Sequence, residues 1–355
     1  MNTVLTFLEA NRQRLELDRY GAAGQLSCVV VTPQFRASSH VVFLVLAKGR
    51  PEPLLVAKLP RLAGAGASVE REVANLRAVQ ALRPGGFDSI PRVIAFEEYR
   101  GRPILVETAL AGEPMDPATV RCNRSGCCDA VTGWLTEVQR PVAGRDGAGP
   151  GWFERLVEQP LRSFEAAFPL SDEEARLLGR TWELAEPLRD AALPLVVEHG
   201  DLSNPNILLR KGGGLGVVDW ELAEPYGLPT YDLFFFLTYA AFAQRNARTN
   251  GEYLAAFHAA FFGPAAWARP YVAAYAERLR VPADAFTPLF VLCWARYIAG
   301  LLLRLGDADR PRGQFGPETA DWLRANRYYA LWRHTLAHIH ELDWRDLPRA
   351  PTRSI

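Results

Sequence analysis

Residues 195–237 read LVVEHGDLSNPNILLRKGGGLGVVDWELAEPYGLPTYDLFFFL, and this stretch decides the fold. A short apolar run at 195–197 leads into a polar cluster, and a second apolar run, Ile207–Leu209, follows at once. A glycine-rich turn at 211–214 then returns the chain through 215–218 to Asp219. The pattern predicts a β-hairpin with acidic side chains at its open end, opposite the turn.

The polar cluster contains His199, Asp201 and Asn206, and Asp219 ends the returning strand. Asp and Asn are common in turns because their side chains bond the local backbone. A turn does not, however, explain an Asp that ends a Val-Val strand thirteen positions after Asn206. Mg²⁺ bound with phosphate prefers a carboxylate, an amide oxygen and water, and a nearby carboxylate can accept a hydroxyl proton. The cluster supplies these groups.

These motifs resemble those of the aminoglycoside phosphotransferase and choline kinase group, distant relatives of the protein kinases. HGDLSNPN resembles the group's His-x-Asp-x-x-x-x-Asn catalytic loop, VVDWE its metal-binding strand, and GLPTYDL the segment that buttresses the loop. The resemblance implies that Asp201 takes the proton of an acceptor hydroxyl, and that Asn206 and Asp219 hold Mg²⁺. It implies supporting roles for His199 and Asp232.

The first hundred residues predict a small β-rich lobe with strands at 26–32, 41–47 and 54–60. Lys58 lies on the third of these strands, where an ammonium is costly unless an anion meets it or its end reaches solvent. A helix is predicted over 69–82 with Ser68 as its N-cap, and its periodicity turns Glu72 inward and Glu70 outward. The resemblance implies that Lys58 contacts nucleotide phosphates and that Glu72 braces it.

The first hairpin, TPQFRASSH, contains no glycine, so it is not a glycine-rich nucleotide loop. Backbone amides at Ser38 and Ser39 are the candidates for covering the phosphates. A last strand at 104–110 leads to a break at AGEP. The resemblance makes 107–110 a hinge in which Glu107 and Ala109 bond an adenine edge through their backbone.

The fold class that follows is α+β: a two-lobed, protein-kinase-like fold. Residues 1–110 are predicted to form the nucleotide-binding lobe, a small antiparallel sheet with one main helix. Residues 111–355 are predicted to form a larger, mostly helical lobe with the catalytic loop and the acceptor site. Its helices are predicted at 128–139, 152–168, 171–190, 228–244, 251–262, 265–278, 286–305 and 317–340, with a capping box from Ser171 to Glu174.

Composition limits the classes of partner. The 355-residue chain has a formal net charge of zero, so no strong field draws it to nucleic acid or to a membrane surface. Without a secretion signal or an uninterrupted spanning segment, the chain is predicted to be cytoplasmic, with its five cysteines reduced. His334 and His338 have the spacing of zinc ligands, but no Glu follows the first, so a zinc protease is not favoured.

The leading hypothesis is therefore an ATP-dependent kinase that uses Mg²⁺ to phosphorylate a hydroxyl of a small molecule such as an antibiotic, a sugar or an amino alcohol. One alternative is a catalytically inactive nucleotide-binding scaffold or sensor on the same fold. Another is a hydrolase with His199, Asp201 and Asp219 as metal ligands.

Overall fold

The computed structural model describes residues 3–21, 24–32, 40–61, 66–140, 151–309, 315–344 and 347. The chain forms two compact units. The first unit comprises Met1–Pro114 and Pro205–Pro225, and the second comprises Met115–Asn204 and Tyr226–Ile355.

Strands are concentrated in the first unit. A five-stranded antiparallel sheet in the order β1-β2-β3-β5-β4 is accompanied by a three-stranded sheet, β6-β8-β9, and a two-stranded sheet, β10-β7. In the described part of the chain the strands are β1 (Leu26–Val31), β2 (His40–Ala47), β3 (Leu55–Pro60), β4 (Val93–Tyr99), β5 (Arg102–Thr108), β6 (Glu113–Pro114), β7 (Val196–Glu198), β8 (Ile207–Leu209), β9 (Leu215–Val217) and β10 (Glu224–Gly227).

The two faces of the five-stranded sheet have different neighbours. On one face, Leu55 and Ala57 of β3 share an apolar cluster with Phe7 of the N-terminal helix α1 (Thr3–Ala10). On the other face, Leu105 packs with Val69 and Val73, which belong to α2 (Ala67–Ala81). Because side chains alternate along a strand, Lys58 points to the side opposite its neighbour Ala57.

Helix α2 confirms the predicted orientation of its acids but not its predicted start. Glu72 is fully buried and Glu70 is exposed. The helix begins at Ala67 after Gly66, so Ser68 lies inside it and the predicted N-cap is wrong.

Strand β4 was not predicted. It pairs with β5 through a tight turn in which Arg100 and Gly101 have φ values of 55° and 74°. A two-residue turn with two positive φ values matches the right-handed twist of the flanking strands. The alternation of 93–99 ahead of that glycine was the signal that could have revealed the strand.

The hairpin predicted from the deciding stretch is confirmed. Ile207 pairs with Val217 and Leu209 with Leu215. The turn contains three glycines, 212–214, with φ values of 90°, 98° and 80°, a conformation that other residues adopt only with strain. The Val217 N–H donates to the Ser89 carbonyl at 2.8 Å, which fixes the hairpin within the first unit.

The second unit is mainly helical. The predicted capping box from Ser171 to Glu174 is confirmed at the start of α6. The helix predicted over 317–340 is instead two helices, because Asn326 caps the second of them by accepting the Tyr328 N–H at 2.9 Å. The helices described here are α3 (Pro117–Cys122), α4 (Arg124–Gln139), α5 (Gln159–Ala167), α6 (Asp172–Ala185), α7 (Tyr231–Arg245), α8 (Asn250–Phe261), α9 (Arg269–Leu279), α10 (Phe286–Asp309), α11 (Pro317–Arg324) and α12 (Arg327–Ala337).

Among the described residues, one helical segment, Ala283–Leu302, is long and apolar enough to cross a bilayer. Its apolar window is 78% buried within the fold, as in the core helix of a globular unit. Phe290 lies within it, with its ring 4.8 Å from that of Phe234 and 4.9 Å from that of Phe261. Cys127, Cys128 and Cys293 are buried free thiols.

Candidate active site

Lys58 is the centre of a buried charge cluster in the first unit. It is 4% exposed and lies on β3 opposite Val42 and Leu105. Its ammonium donates to Glu72 Oε1, and it lies 3.4 Å from Asp219 Oδ1 and 3.7 Å from Glu107 Oε1. The alternative of a strand-end lysine that reaches solvent is wrong, because the ammonium meets carboxylates instead.

The pKa values of this cluster follow from burial and from the excess of acids. Burial alone would lower the pKa of Lys58, but the carboxylates of Glu107, Glu72 and Asp219 outweigh it and raise that pKa well above its usual value. Burial, with the like charges of Glu72 and Asp219, raises the pKa of Glu107 to about 8 against the opposing effect of Lys58. Burial likewise raises the pKa of Glu72. The cluster therefore contains more carboxyl groups than the single Lys58 ammonium can neutralise.

Glu72 also positions the turn that carries Asp219. Its Oε1 accepts the Trp220 N–H at 3.1 Å, so one carboxylate oxygen meets both the lysine and the residue after Asp219. Asp219 itself has a φ of 69°, and the fully buried Trp220 anchors the chain beyond it. Asn75, one turn further along α2, donates to the Trp220 carbonyl at 2.9 Å.

Asn206 lies at the same end of the hairpin as Asp219. The Val218 N–H donates to the Asn206 carbonyl at 3.0 Å, directly beyond the Ile207–Val217 pair. Asn206 is 4% exposed, whereas the Asp219 side chain is 35% exposed. An amide and a carboxylate on adjacent positions of two strands are oxygen donors of the kind that Mg²⁺ takes, and the surplus acid of the cluster favours a cation there.

His40 joins the cluster although no role was predicted for it from the sequence. It is 3% exposed, with Nε2 4.0 Å from Asp219 Oδ1 and Nδ1 3.5 Å from Glu221 Oε2. Burial and the nearby Lys58 ammonium lower the pKa of His40 to about 4, against the opposing effect of Asp219. His40 is therefore neutral near pH 7, and its imidazole lines the cluster without adding charge.

The remaining predicted residues of the nucleotide side have different positions. The Glu107 side chain is 2% exposed and points to Lys58, while its backbone lies within the sheet between Val56 and Val93. The Ala109 N–H donates to the Leu54 carbonyl at 3.1 Å, so a role for Ala109 in binding a base rests on its carbonyl. Ser38 and Ser39 lie outside the described residues.

The second unit contains His199 and Asp201 of the predicted catalytic loop, together with the residues that support them. Asp232, near the start of α7, accepts the His199 N–H at 2.7 Å and the Gly200 N–H at 2.9 Å. The Asp201 N–H donates to His199 Nδ1 at 3.2 Å, which fixes the turn that presents Asp201. Burial, with the charge of Glu198, raises the pKa of Asp232 to about 7 against these two hydrogen bonds.

Sequence reasoning missed a second layer of support around this loop. Gln139 donates to the Val197 carbonyl at 2.7 Å and accepts the Tyr275 hydroxyl at 2.5 Å. Glu198 forms a bidentate ion pair with Arg296, with N–O distances of 2.9 and 3.0 Å. These partners are distant in sequence, and the one local signal was an arginine inside an otherwise apolar helix, which needs a buried acid.

Comparison with known proteins supports a common fold. A model of the phosphotransferase enzyme family matches residues 33–275. The chain is similar to the amicoumacin kinase hAmiN, solved with AMP-PNP, Ca²⁺ and Ami, with a TM-score of 0.55 and 13% identity over 97% of this chain and 99% of that one. It is also similar to the choline kinase LicA from Streptococcus pneumoniae, with a TM-score of 0.56 and 12% identity over 92% and 99%.

A third similar structure is the GDP complex of aminoglycoside 2′-phosphotransferase-IIIa, with a TM-score of 0.50 and 14% identity over 90% of this chain and 99% of that one. At these identities the structural likenesses show the fold alone. The α+β, two-lobed, kinase-like fold class predicted from the sequence is confirmed.

Proposed function

The chain belongs to the phosphotransferase enzyme family, and from that premise we propose that it is an ATP-dependent kinase that phosphorylates a hydroxyl of a small molecule. The observation that carries the proposal is the buried Lys58, bonded to Glu72 and 3.4 Å from Asp219. A non-catalytic scaffold needs no such arrangement in order to fold, because a buried ion cluster is weak support for stability.

On the nucleotide side, Lys58 contacts the phosphates and Glu72 holds its ammonium in place. Asn206 and Asp219 are the residues that hold Mg²⁺, since they present an amide and a carboxylate at one end of the hairpin. Bound Mg²⁺ supplies charge neutralisation for the phosphate oxygens. The hinge at 107–110 and the amides of Ser38 and Ser39 complete the proposed nucleotide contacts, which we assign to residues 1–110 and the hairpin.

On the acceptor side, Asp201 orients the hydroxyl and accepts its proton as the oxygen attacks phosphorus. Phosphoryl transfer has a loose transition state, so positioning and charge stabilisation supply most of the rate. His199 and Asp232 keep the Asp201 turn in place through the backbone bonds of this loop. We place this activity in the cytoplasm, where ATP and Mg²⁺ are both available.

The acceptor classes to test follow from the similar structures. These structures are those of an amicoumacin kinase, a choline kinase and an aminoglycoside phosphotransferase. We therefore propose an antibiotic, an amino alcohol or a sugar as the acceptor. The second unit would supply its binding site together with Asp201.

The test is incubation of the full chain with ATP, Mg²⁺ and a panel of these compounds, with phosphorus NMR of the products. The proposal expects a phosphate ester and one ADP per ester formed. Nucleotide binding without ester would instead support a scaffold or sensor, and free phosphate without an acceptor would support a hydrolase. Either outcome across a broad panel would refute the kinase assignment.

A further inference from the structure

A cluster of histidines lies on the second unit, separate from the catalytic-loop residues. His258 belongs to α8, His334 to α12, and His338 caps the end of α12. Glu341 follows in a short 3₁₀ turn. One donor atom from each of His258, His338 and Glu341 lies within 4.8 Å of the other two.

The contacts around Glu341 have the dimensions of a metal site. His258 Nε2 lies 3.5 Å from Glu341 Oε2, and His338 Nδ1 lies 2.7 Å from Glu341 Oε1. Metal–ligand bonds of about 2.0–2.1 Å at tetrahedral angles place two ligands about 3.4 Å apart. The first separation already matches that value. The second is a hydrogen bond whose proton a metal would replace.

His334 is not one of the three candidate ligands, but it contacts His258 and orients its ring. The two rings meet through His258 Nδ1 and His334 Nε2 at 3.1 Å. With His258 protonated at Nδ1, this contact is a hydrogen bond that His258 Nδ1–H donates to His334 Nε2. That bond leaves the lone pair of His258 Nε2 directed to Glu341. A ligating histidine commonly donates its other ring N–H to a second residue in this way.

The backbone holds these side chains in register. The Gly263 N–H donates to the Glu341 carbonyl at 3.1 Å, and Phe262 forms a β-bridge with Leu342. The His258 ring stacks on Phe262 with centroids 5.1 Å apart and an interplanar angle of 2°. The cluster is thus fixed by elements far apart in sequence, and the side chains of His258, His338 and Glu341 are 37%, 38% and 31% exposed, which leaves an entry path.

We propose that His258 Nε2, His338 Nδ1 and Glu341 form a transition-metal site that takes Zn²⁺, with His334 as the hydrogen-bond partner that orients His258. Imidazole and carboxylate donors in a set of three, with a fourth position left to water, are typical of Zn²⁺, while Mg²⁺ prefers oxygen alone. The sequence showed only the spacing of His334 and His338; the structure adds the ligand from α8. The site does not depend on the kinase assignment.

The test is a Zn²⁺ titration of the tag-free full chain against a chromophoric chelator, with an excess of Mg²⁺. The Asp219→Asn variant serves as the starting protein, so that the proposed Mg²⁺ site does not add binding. One Zn²⁺ per chain is expected. His258→Asn, His338→Asn and Glu341→Gln should each weaken binding by about tenfold or more, since each removes a ligand, and Zn²⁺ should raise the melting temperature of the starting protein but not of these variants.

His340→Asn is the matched control, because His340 lies beside Glu341 but is 75% exposed and outside the ligand set. It should change the Zn²⁺ affinity by less than about threefold, well below the loss expected for a ligand variant. Melting temperatures measured in EDTA separate a loss of ligand from a loss of fold. Unchanged affinity in His258→Asn would overturn the proposal, since binding would then come from 338–341 alone. The absence of saturable binding to the starting protein would overturn it as well.

Discussion

Replacing Lys58 with methionine tests the physical basis of the proposed nucleotide site. The change keeps the side-chain length but leaves Glu72 and Glu107 buried without their ammonium. At the 3.7 Å between Lys58 Nζ and Glu107 Oε1, two full unit charges would interact by about 4 kcal/mol at an effective dielectric constant of about 20. Glu107, with a pKa of about 8, carries only part of that charge at pH 8. Removal of one partner of a buried pair typically costs about 3–5 kcal/mol, and we expect Lys58→Met to lose stability on that scale at pH 8.

The loss should depend on pH in a defined direction. Without the ammonium, the folded-state pKa values of Glu72 and Glu107 rise further above their unfolded value of about 4.5. The folded state then binds more protons than the unfolded state at mildly acidic pH, so stability falls as the pH increases. The difference between Lys58→Met and wild type should therefore be smaller at pH 5.5 than at pH 8.

Urea denaturation at the two pH values measures this, with Lys211→Met as the matched control. Lys211 also bonds a glutamate in the first unit, Glu52 at 2.6 Å, but the two side chains are 77% and 48% exposed. A solvated pair of this kind contributes little, so the control should leave the urea midpoint almost unchanged at either pH.

A double variant, Lys58→Met with Glu72→Gln, separates stability from function. The amide oxygen that replaces the carboxylate can still accept the Trp220 N–H, so the double variant should recover much of the stability lost by Lys58→Met. It should not recover the use of ATP. If Lys58→Met lost no more stability than Lys211→Met, and equally at both pH values, the buried cluster would not depend on its lysine and the reasoning would fail.

Three further predictions concern single groups of the two units. Glu107→Gln should be at least as stable as wild type at pH 8. The pKa of about 8 keeps Glu107 protonated in the folded protein while the unfolded chain ionises from about pH 4.5, so wild-type stability falls between these two values. Urea midpoints across that range should show a weaker pH dependence in the variant. Asp201→Asn should keep nucleotide binding but reduce kcat by roughly a hundredfold or more, the scale for losing a proton acceptor, as measured by single-turnover transfer. Asp219→Asn should fold, since Asn tolerates the φ of 69° at this position. Calorimetry should show that this variant largely loses Mg²⁺-dependent nucleotide binding. Asn206→Ala should show a milder binding defect that extra Mg²⁺ partly rescues.

Local patterns predicted the hairpin and its polar residues well. The glycine-rich turn and short apolar runs are short-range signals, and the pairing of Ile207 with Val217 confirms the hairpin that they predict. The same holds for the inward position of Glu72, which follows from helical periodicity alone. Errors occurred where local signals compete, as at Ser68, which resembles an N-cap but lies one residue inside α2.

Interactions between distant segments could not be predicted from these patterns. The bonds from Asn75 to the Trp220 carbonyl and from Gln139 to the Val197 carbonyl join positions 145 and 58 residues apart. Each satisfies a buried backbone group, and the partner of such a group depends on packing that no local period encodes. The His258 ligand of the proposed zinc site was hidden for the same reason.

The double role of Glu72 explains why the site residues of the first unit must be considered together. Its Oε1 accepts from Lys58 and from the Trp220 N–H, and Trp220 directly follows Asp219. A shift of α2 therefore displaces Lys58, the proposed phosphate contact, and the turn of Asp219, the proposed metal ligand, at once. Asn75 strengthens this link from the next helical turn, since it holds the carbonyl of the same Trp220. The helix thus positions Lys58 directly through Glu72, and it positions Asp219 through hydrogen bonds from Glu72 and Asn75 to the backbone of Trp220.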